Sequence, residues 1–188
     1  MWGAFTDCYV PEGGVTGESV PVALTVGAKS TGTFSLPSSQ TVARLDPFGG
    51  ACPNADVETS APTSYSYVSV VNTSGMTATV SIWGSKASTA GAQDIDTIMA
   101  TYAGGSVPLT DMQRKMCSVG VADYCFDDQS DPTACQSGWA GIIKGDSAPV
   151  TVPPYQSIIV YTAAYYGSGS SEPKSGDYQL TVRTESLQ

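Results

Sequence analysis

The chain has 188 residues, with eight Lys and Arg against seventeen Asp and Glu, a formal net charge of −9 and no histidine. That balance excludes nucleic-acid binding, which needs clustered cations to neutralise phosphates. The lack of His excludes Ser-His-Asp and Cys-His catalysis. A hydrophobic share of 41% excludes global disorder, and a single domain of this size buries roughly 70% of its unfolded surface.

In chain order, positions 1–30 are broken by Pro, Gly and Glu and hold no signal-peptide core, so any secretion signal is expected to have been removed. No apolar run reaches the ~18–20 residues that span a bilayer. Val20 to Val26, Thr31 to Leu36 and Gln40 to Leu45 read as short strands. Asp46 to Pro62, with Pro47, Gly49, Gly50, Pro53 and Asn54, reads as a loop. Tyr65 to Val71 and Thr77 to Trp83 follow, the latter with Ala78, Val80 and Ile82 alternating with polar residues, the period of a half-buried strand. The segment Asn72 to Gly75 between them predicts a hairpin, and Asn72 opens an Asn-Thr-Ser sequon.

Ile95 to Tyr102 and Ala140 to Ile143 are further apolar segments. Thr110 and Gln113 form a capping box at the head of Asp111 to Met116, which predicts one helix of at most two turns. Val150 to Val152 and Gln156 to Tyr166 flank Pro153-Pro154, which breaks any strand there. Tyr178 to Thr184 closes the series. Many short strands separated by turn residues predict an all-β fold, an antiparallel β-sandwich with at most one short helix near 110–116.

Five cysteines stand at 8, 52, 117, 125 and 135, with no Cys-x-x-Cys pair. Disulfides in an oxidising compartment account for them better than zinc does. Cys125 with Cys135, closing a short acidic loop, is the first expected pair. Cys8 with Cys52 is the second, which leaves Cys117 free and buried or paired in another scheme; an odd count leaves the connectivity open.

The residues from about 60 to 186 resemble the bacterial pre-peptidase C-terminal domain family. The resemblance is carried by Asp96-Thr97-Ile98-Met99-Ala100-Thr101-Tyr102, the acidic pair Asp127-Asp128, the segments Ser137 to Ile143 and Pro154 to Val160, and Gly176-Asp-Tyr-Gln-Leu-Thr-Val182. Pro153-Pro154-Tyr155-Gln156, where the family commonly has Gly, and the long stretch from Ala103 to Ala122 depart from the pattern. The resemblance implies a jelly-roll-like sandwich over 60–188, with 1–59 adding edge strands and a loop. It also implies a non-catalytic secreted module that binds polymer or protein surfaces, sometimes with calcium.

Two groups of side chains are candidate sites. Asp94, Asp96, Asp127 and Asp128, with Asp123 and Asp131 nearby, supply the hard oxygens that calcium takes. Without an Asp-x-Asp-x-Asp-Gly loop, the same carboxylates also read as turn caps. Trp139, Tyr161 and Tyr165 are candidate ligand-binding rings, suited to stacking on sugars or to a protein surface. The expected function is binding or adhesion outside the cell, with no enzymatic activity. The alternative is a structural subunit that binds copies of itself by strand addition through Val20 to Leu36. Thermal unfolding with and without millimolar calcium separates the two readings of the aspartates. A site that binds only the folded chain raises the midpoint by several degrees, and turn caps give no shift.

Overall fold

A computed structural model describes residues 22–47, 52–122, 139–142, 149–166 and 175–188. Among them the chain forms two β-sheets and one short helix. The first sheet runs β1 (Val22–Thr25), β4 (Asp56–Val71), β10 (Ser157–Ala164), β6 (Thr97–Ala103), β7 (Val119–Ala122), with β3 (Thr41–Asp46) also on β4. The second runs β2 (Lys29–Leu36), β11 (Gly176–Leu187), β5 (Ala78–Lys86), β8 (Gly141–Ile142), with β9 (Val150–Val152) also on β5. Pairing is antiparallel except between β1 and β4. The all-β sandwich expected from the sequence is therefore the observed class.

The main core lies between the sheets. Val68 and Val70, Met99, and Ile158 and Val160 from the first sheet meet Val80 and Ile82, Leu180 and Val182, and Ile142 from the second. These residues sit at alternate positions of their strands, as the pleat requires. Tyr178 joins the sheets with a hydroxyl hydrogen bond of 2.8 Å to Ser66. Trp83 faces away from this core, yet it is buried, with the Lys29 ammonium and the Arg183 guanidinium 5.6 and 5.5 Å from its ring centroid.

The first sheet is covered on its outer face as well. The alternate residues Tyr65 and Tyr67 of β4, Ile98, Ala100 and Tyr102 of β6, and Ile159, Tyr161 and Ala163 of β10 form a second cluster with Leu45, Ala55 and Cys117. The helix α1 (Asp111–Lys115) helps to close it. Its capping box is formed as predicted, with Gln113 N–H donating to Thr110 Oγ1 at 3.2 Å and Thr110 N–H donating to Gln113 Oε1 at 3.0 Å. Tyr102 and Tyr67 donate their hydroxyls to the carbonyls of Arg114 and Pro108, at 3.0 and 2.9 Å.

A disulfide between Cys52 and Cys117 staples the segment before β4 to the segment after α1. This corrects the expected Cys8–Cys52 pair and gives Cys117 a partner; Cys8, Cys125 and Cys135 lie outside the described residues. The bridge lies over Gly120, where a Cβ would stand 2.8 Å from the Cys52 sulfur, so only glycine fits. Cross-linking residues 65 apart in sequence removes loop entropy from the unfolded chain, worth about 4 kcal/mol.

Two further expectations are corrected. The expected loop from Asp46 to Pro62 ends early, because β4 already begins at Asp56. Pro62 is tolerated there because the β3–β4 register shifts between Ala43 and Arg44, which places it beside a bulge. Tyr65–Val71 and Thr77–Trp83 are not a hairpin, since β4 and β5 belong to different sheets. The chain arches from one sheet to the other through residues 72–77, and Asn72 braces the arch from inside.

Asn72 is buried. Its Nδ2 donates to the carbonyls of Met76, Val152 and Pro153 at 2.7, 2.9 and 3.2 Å. Its Oδ1 accepts from Ser74 N–H and Ser74 Oγ at 2.9 and 2.8 Å. Two amide protons thus serve three carbonyls, and the nitrogen a glycan would need is fully committed in the fold. Asn72→Ala strands several of these buried groups and is expected to cost about 2–4 kcal/mol. Differential scanning calorimetry should show a midpoint lowered by roughly 5–15 °C.

Candidate functional site

The residues singled out in the sequence fall in three different settings. Trp139 is 1% exposed, stacked on Tyr178 with ring centroids 6.4 Å apart, and its Nε1 donates to Asp94 Oδ1 at 3.4 Å. Tyr161 is 0% exposed and lies in the outer cluster between Tyr65 and Tyr67, with centroids 6.2 and 5.5 Å away. Neither ring is available to a ligand, which corrects both assignments. For Tyr161 the reason is the covered outer face of the first sheet; for Trp139 it is its place in the main core.

Tyr165 is half-buried. The Arg44 guanidinium lies 4.9 Å from its ring centroid, Arg44 Nη1 donates to its carbonyl at 3.0 Å, and Tyr166 meets its ring edge-on at 5.0 Å. Arg44 is in turn paired with Glu58. These contacts hold Tyr165 as part of the seam between β3 and the end of β10.

Of the four aspartates, Asp94 is tied to Trp139 through Oδ1 and to Lys86 through Oδ2, at 3.4 and 3.5 Å. Asp96 accepts Tyr165 N–H on its backbone carbonyl at 2.8 Å. Asp127 and Asp128 lie outside the described residues. Among those described, no group of three or more Asp, Glu, Cys or His is placed to hold a metal ion.

Around Arg114 the outer cluster is polar as well as aromatic. Arg114 is buried and paired with the more exposed Asp111. Burial pushes the hydroxyls of Tyr67, Tyr102 and Tyr161 well above the usual tyrosine range, and neighbouring tyrosines push those of Tyr67 and Tyr102 further. The nearby Arg114 charge opposes this in all three. Tyr178 is raised for the same first reason, against its hydrogen bond to Ser66. These rings are structural: they fill an interior.

Among the described residues, exposed apolar side chains stand at two places: Leu109, Met112 and Met116 on and beside α1, and Tyr155, Met76 and Leu187 at one end of the sandwich, where Asn72 gathers two sheet-to-sheet crossings. One is the 72–77 arch. The other is the turn Pro153–Gln156 between β9 and β10, closed by Gln156 N–H donating to Pro153 O at 3.2 Å. Asn72 N–H donates to Gln156 O at 2.9 Å, and Tyr155 N–H donates to Ser74 O at 3.3 Å. Thr77 and Gln188 exchange a backbone pair at 2.8 and 3.0 Å, which brings the end of β11 alongside.

Tyr155 crowns this end. It holds φ at +54°, in the left-handed region, at the third position of a turn that favours Gly or Asn there. A non-glycine residue pays about 1 kcal/mol for that backbone. The residue is 76% exposed, and its hydroxyl edge rests on Gly75, where a Cβ would come within 3.2 Å of that hydroxyl. Met76 and Leu187, from the two neighbouring segments, are also exposed. The sequence reading missed this site. Its signal was present as a Tyr following Pro-Pro where turn chemistry asks for Gly.

A tyrosine whose pKa is raised by folding contributes stability that is fully present below its unfolded value, about 10, and is lost as the pH rises beyond it. With four such residues, urea unfolding midpoints are expected to hold from about pH 8 to about pH 9 and to fall above about pH 10. Absorbance at 295 nm should show their ionisation only as the chain unfolds. Reversible titration of all tyrosines near 10 in a folded chain would contradict the burial described.

Comparison with known proteins gives no match: no family model, no curated protein and no solved structure matches this chain. The resemblance to the pre-peptidase C-terminal family rests on the sequence motifs alone.

Proposed function

We propose that this chain is a non-catalytic extracellular β-sandwich module that binds or adheres to a polysaccharide or protein surface through the Asn72-braced end. The observation that carries the reading is Tyr155: an exposed aromatic ring kept in a disfavoured backbone on a base braced by the hydrogen bonds of the buried Asn72. Strain retained at an exposed residue on a stable scaffold is the pattern of a site kept for what its side chain touches. The Cys52–Cys117 bridge fits an oxidising compartment.

The alternative, assembly by donating Val20 to Leu36 to a neighbouring copy, is less favoured. Val22–Thr25 and Lys29–Leu36 are already paired within the chain, to β4 and β11. Releasing them would expose Leu24 and Leu36 from the core.

Co-sedimentation with insoluble polysaccharides and capture on immobilised extracellular matrix proteins test the reading, run beside assays for product release from the same materials. Retention without turnover is the expected result. Turnover caused by the chain, or retention on none of these surfaces, would contradict it.

A further inference from the structure

The geometry points to a neutral carbohydrate chain as the ligand of the Tyr155 end, and we propose that Tyr155 is its stacking platform; this rests on the reading above. Residues 72–77, 153–156 and 187–188 gather around Asn72 and Tyr155, with 26–28 and 103–105 at the same end, and no side chain among them is charged, in a chain of net charge −9. An acidic polymer gains nothing from such a surface, and a basic partner would be drawn to the carboxylates elsewhere. What the end offers is one accessible aromatic face, the exposed Met76 and Leu187, and neutral hydroxyl and amide groups on Thr73, Gln156 and Gln188.

That combination matches a sugar ring, whose C–H face seeks an aromatic plane and whose hydroxyls seek neutral donors and acceptors. A folded protein partner fits less well, because a standard interface engages roughly 20–30 residues a side. The base is also pre-organised. Asn72 fixes both crossings, Gly75 lets the Tyr155 hydroxyl edge rest on the backbone, and the left-handed turn lifts the ring out of the surface. A ring held this way loses little freedom on binding.

The test is titration of the ¹⁵N-labelled full chain with neutral hexasaccharides (cellohexaose, chitohexaose, laminarihexaose, mannohexaose) and with hexagalacturonate as the anionic control. At least one neutral probe is expected to shift amides of 73–77 and 155–156, with hexagalacturonate silent. Tyr155→Ala should weaken that binding about tenfold, and Tyr155→Phe should keep it within about twofold. Tyr155→Gly, which suits the backbone, should lose binding while its thermal midpoint stays at or above that of the parent, so a folding defect cannot imitate the result. Shifts that map elsewhere and survive Tyr155→Ala would overturn the proposal while leaving a binding module in place. Preference for hexagalacturonate, or capture only on immobilised protein, would overturn the ligand class. No binding to any hexasaccharide, with no retention on any solid surface, would sink both readings together.

Discussion

The first sheet is buried on both faces, and the pieces around it are arranged to cover it. β10 shows it most plainly: Ile158 and Val160 enter the core between the sheets, while Ile159, Tyr161 and Ala163 enter the outer cluster. A strand with no wet face reads as a continuous apolar run rather than an alternation. The outer cover is made of short pieces, α1, the segment before β4 and the disulfide, which hold by local hydrogen bonds and a covalent bridge. Asn54 and Ala55 N–H both donate to the Lys115 carbonyl, at 2.7 and 3.2 Å, beside the bridge.

With both faces of the first sheet covered, its tyrosines are interior, and the exposed aromatic ring stands at one end of the sandwich instead. At one end the chain crosses twice between sheets, and each crossing leaves backbone groups without a ladder partner. Asn72 supplies those partners from a single buried amide. The same residue that stabilises the end therefore sets the geometry in which Tyr155 is displayed, which links stability to presentation through one side chain.

Local signals were legible in the sequence and long-range ones were not. The Thr110–Gln113 capping box and the Pro153-Pro154 break act within a few residues and appear as expected, whereas the Ala78–Val80–Ile82 alternation marks the core face of β5 but not its burial: Ser81 and Trp83 on the other face are buried too. The hairpin expected across 72–75 became an arch because alternation fixes which side of a strand is apolar but not which strand it pairs with. The Cys52–Cys117 bridge spans 65 residues, beyond what spacing can decide. The expectation for Tyr161 rests on what an exposed ring can do, whereas the unbroken apolar run from Ile158 to Tyr161 carries the sign of two buried faces. In the sequence Tyr155 stands out only as part of the Pro153–Gln156 departure from the family pattern, because what sets it apart is a backbone angle that the residue type disfavours.

Among the described residues Tyr102, Tyr161 and Tyr178 fill an interior, Tyr165 and Tyr166 are half-buried, and Tyr155 is presented. Tetranitromethane modification of the native chain, resolved by peptide mass spectrometry, reads that division directly. Tyr155 is expected to be nitrated ahead of every other tyrosine in the described residues, with Tyr102, Tyr161 and Tyr178 resistant until the chain unfolds. Nitration of Tyr161 as fast as Tyr155 in the folded protein would mean that the outer face of the first sheet is open, contradicting the double burial of that sheet.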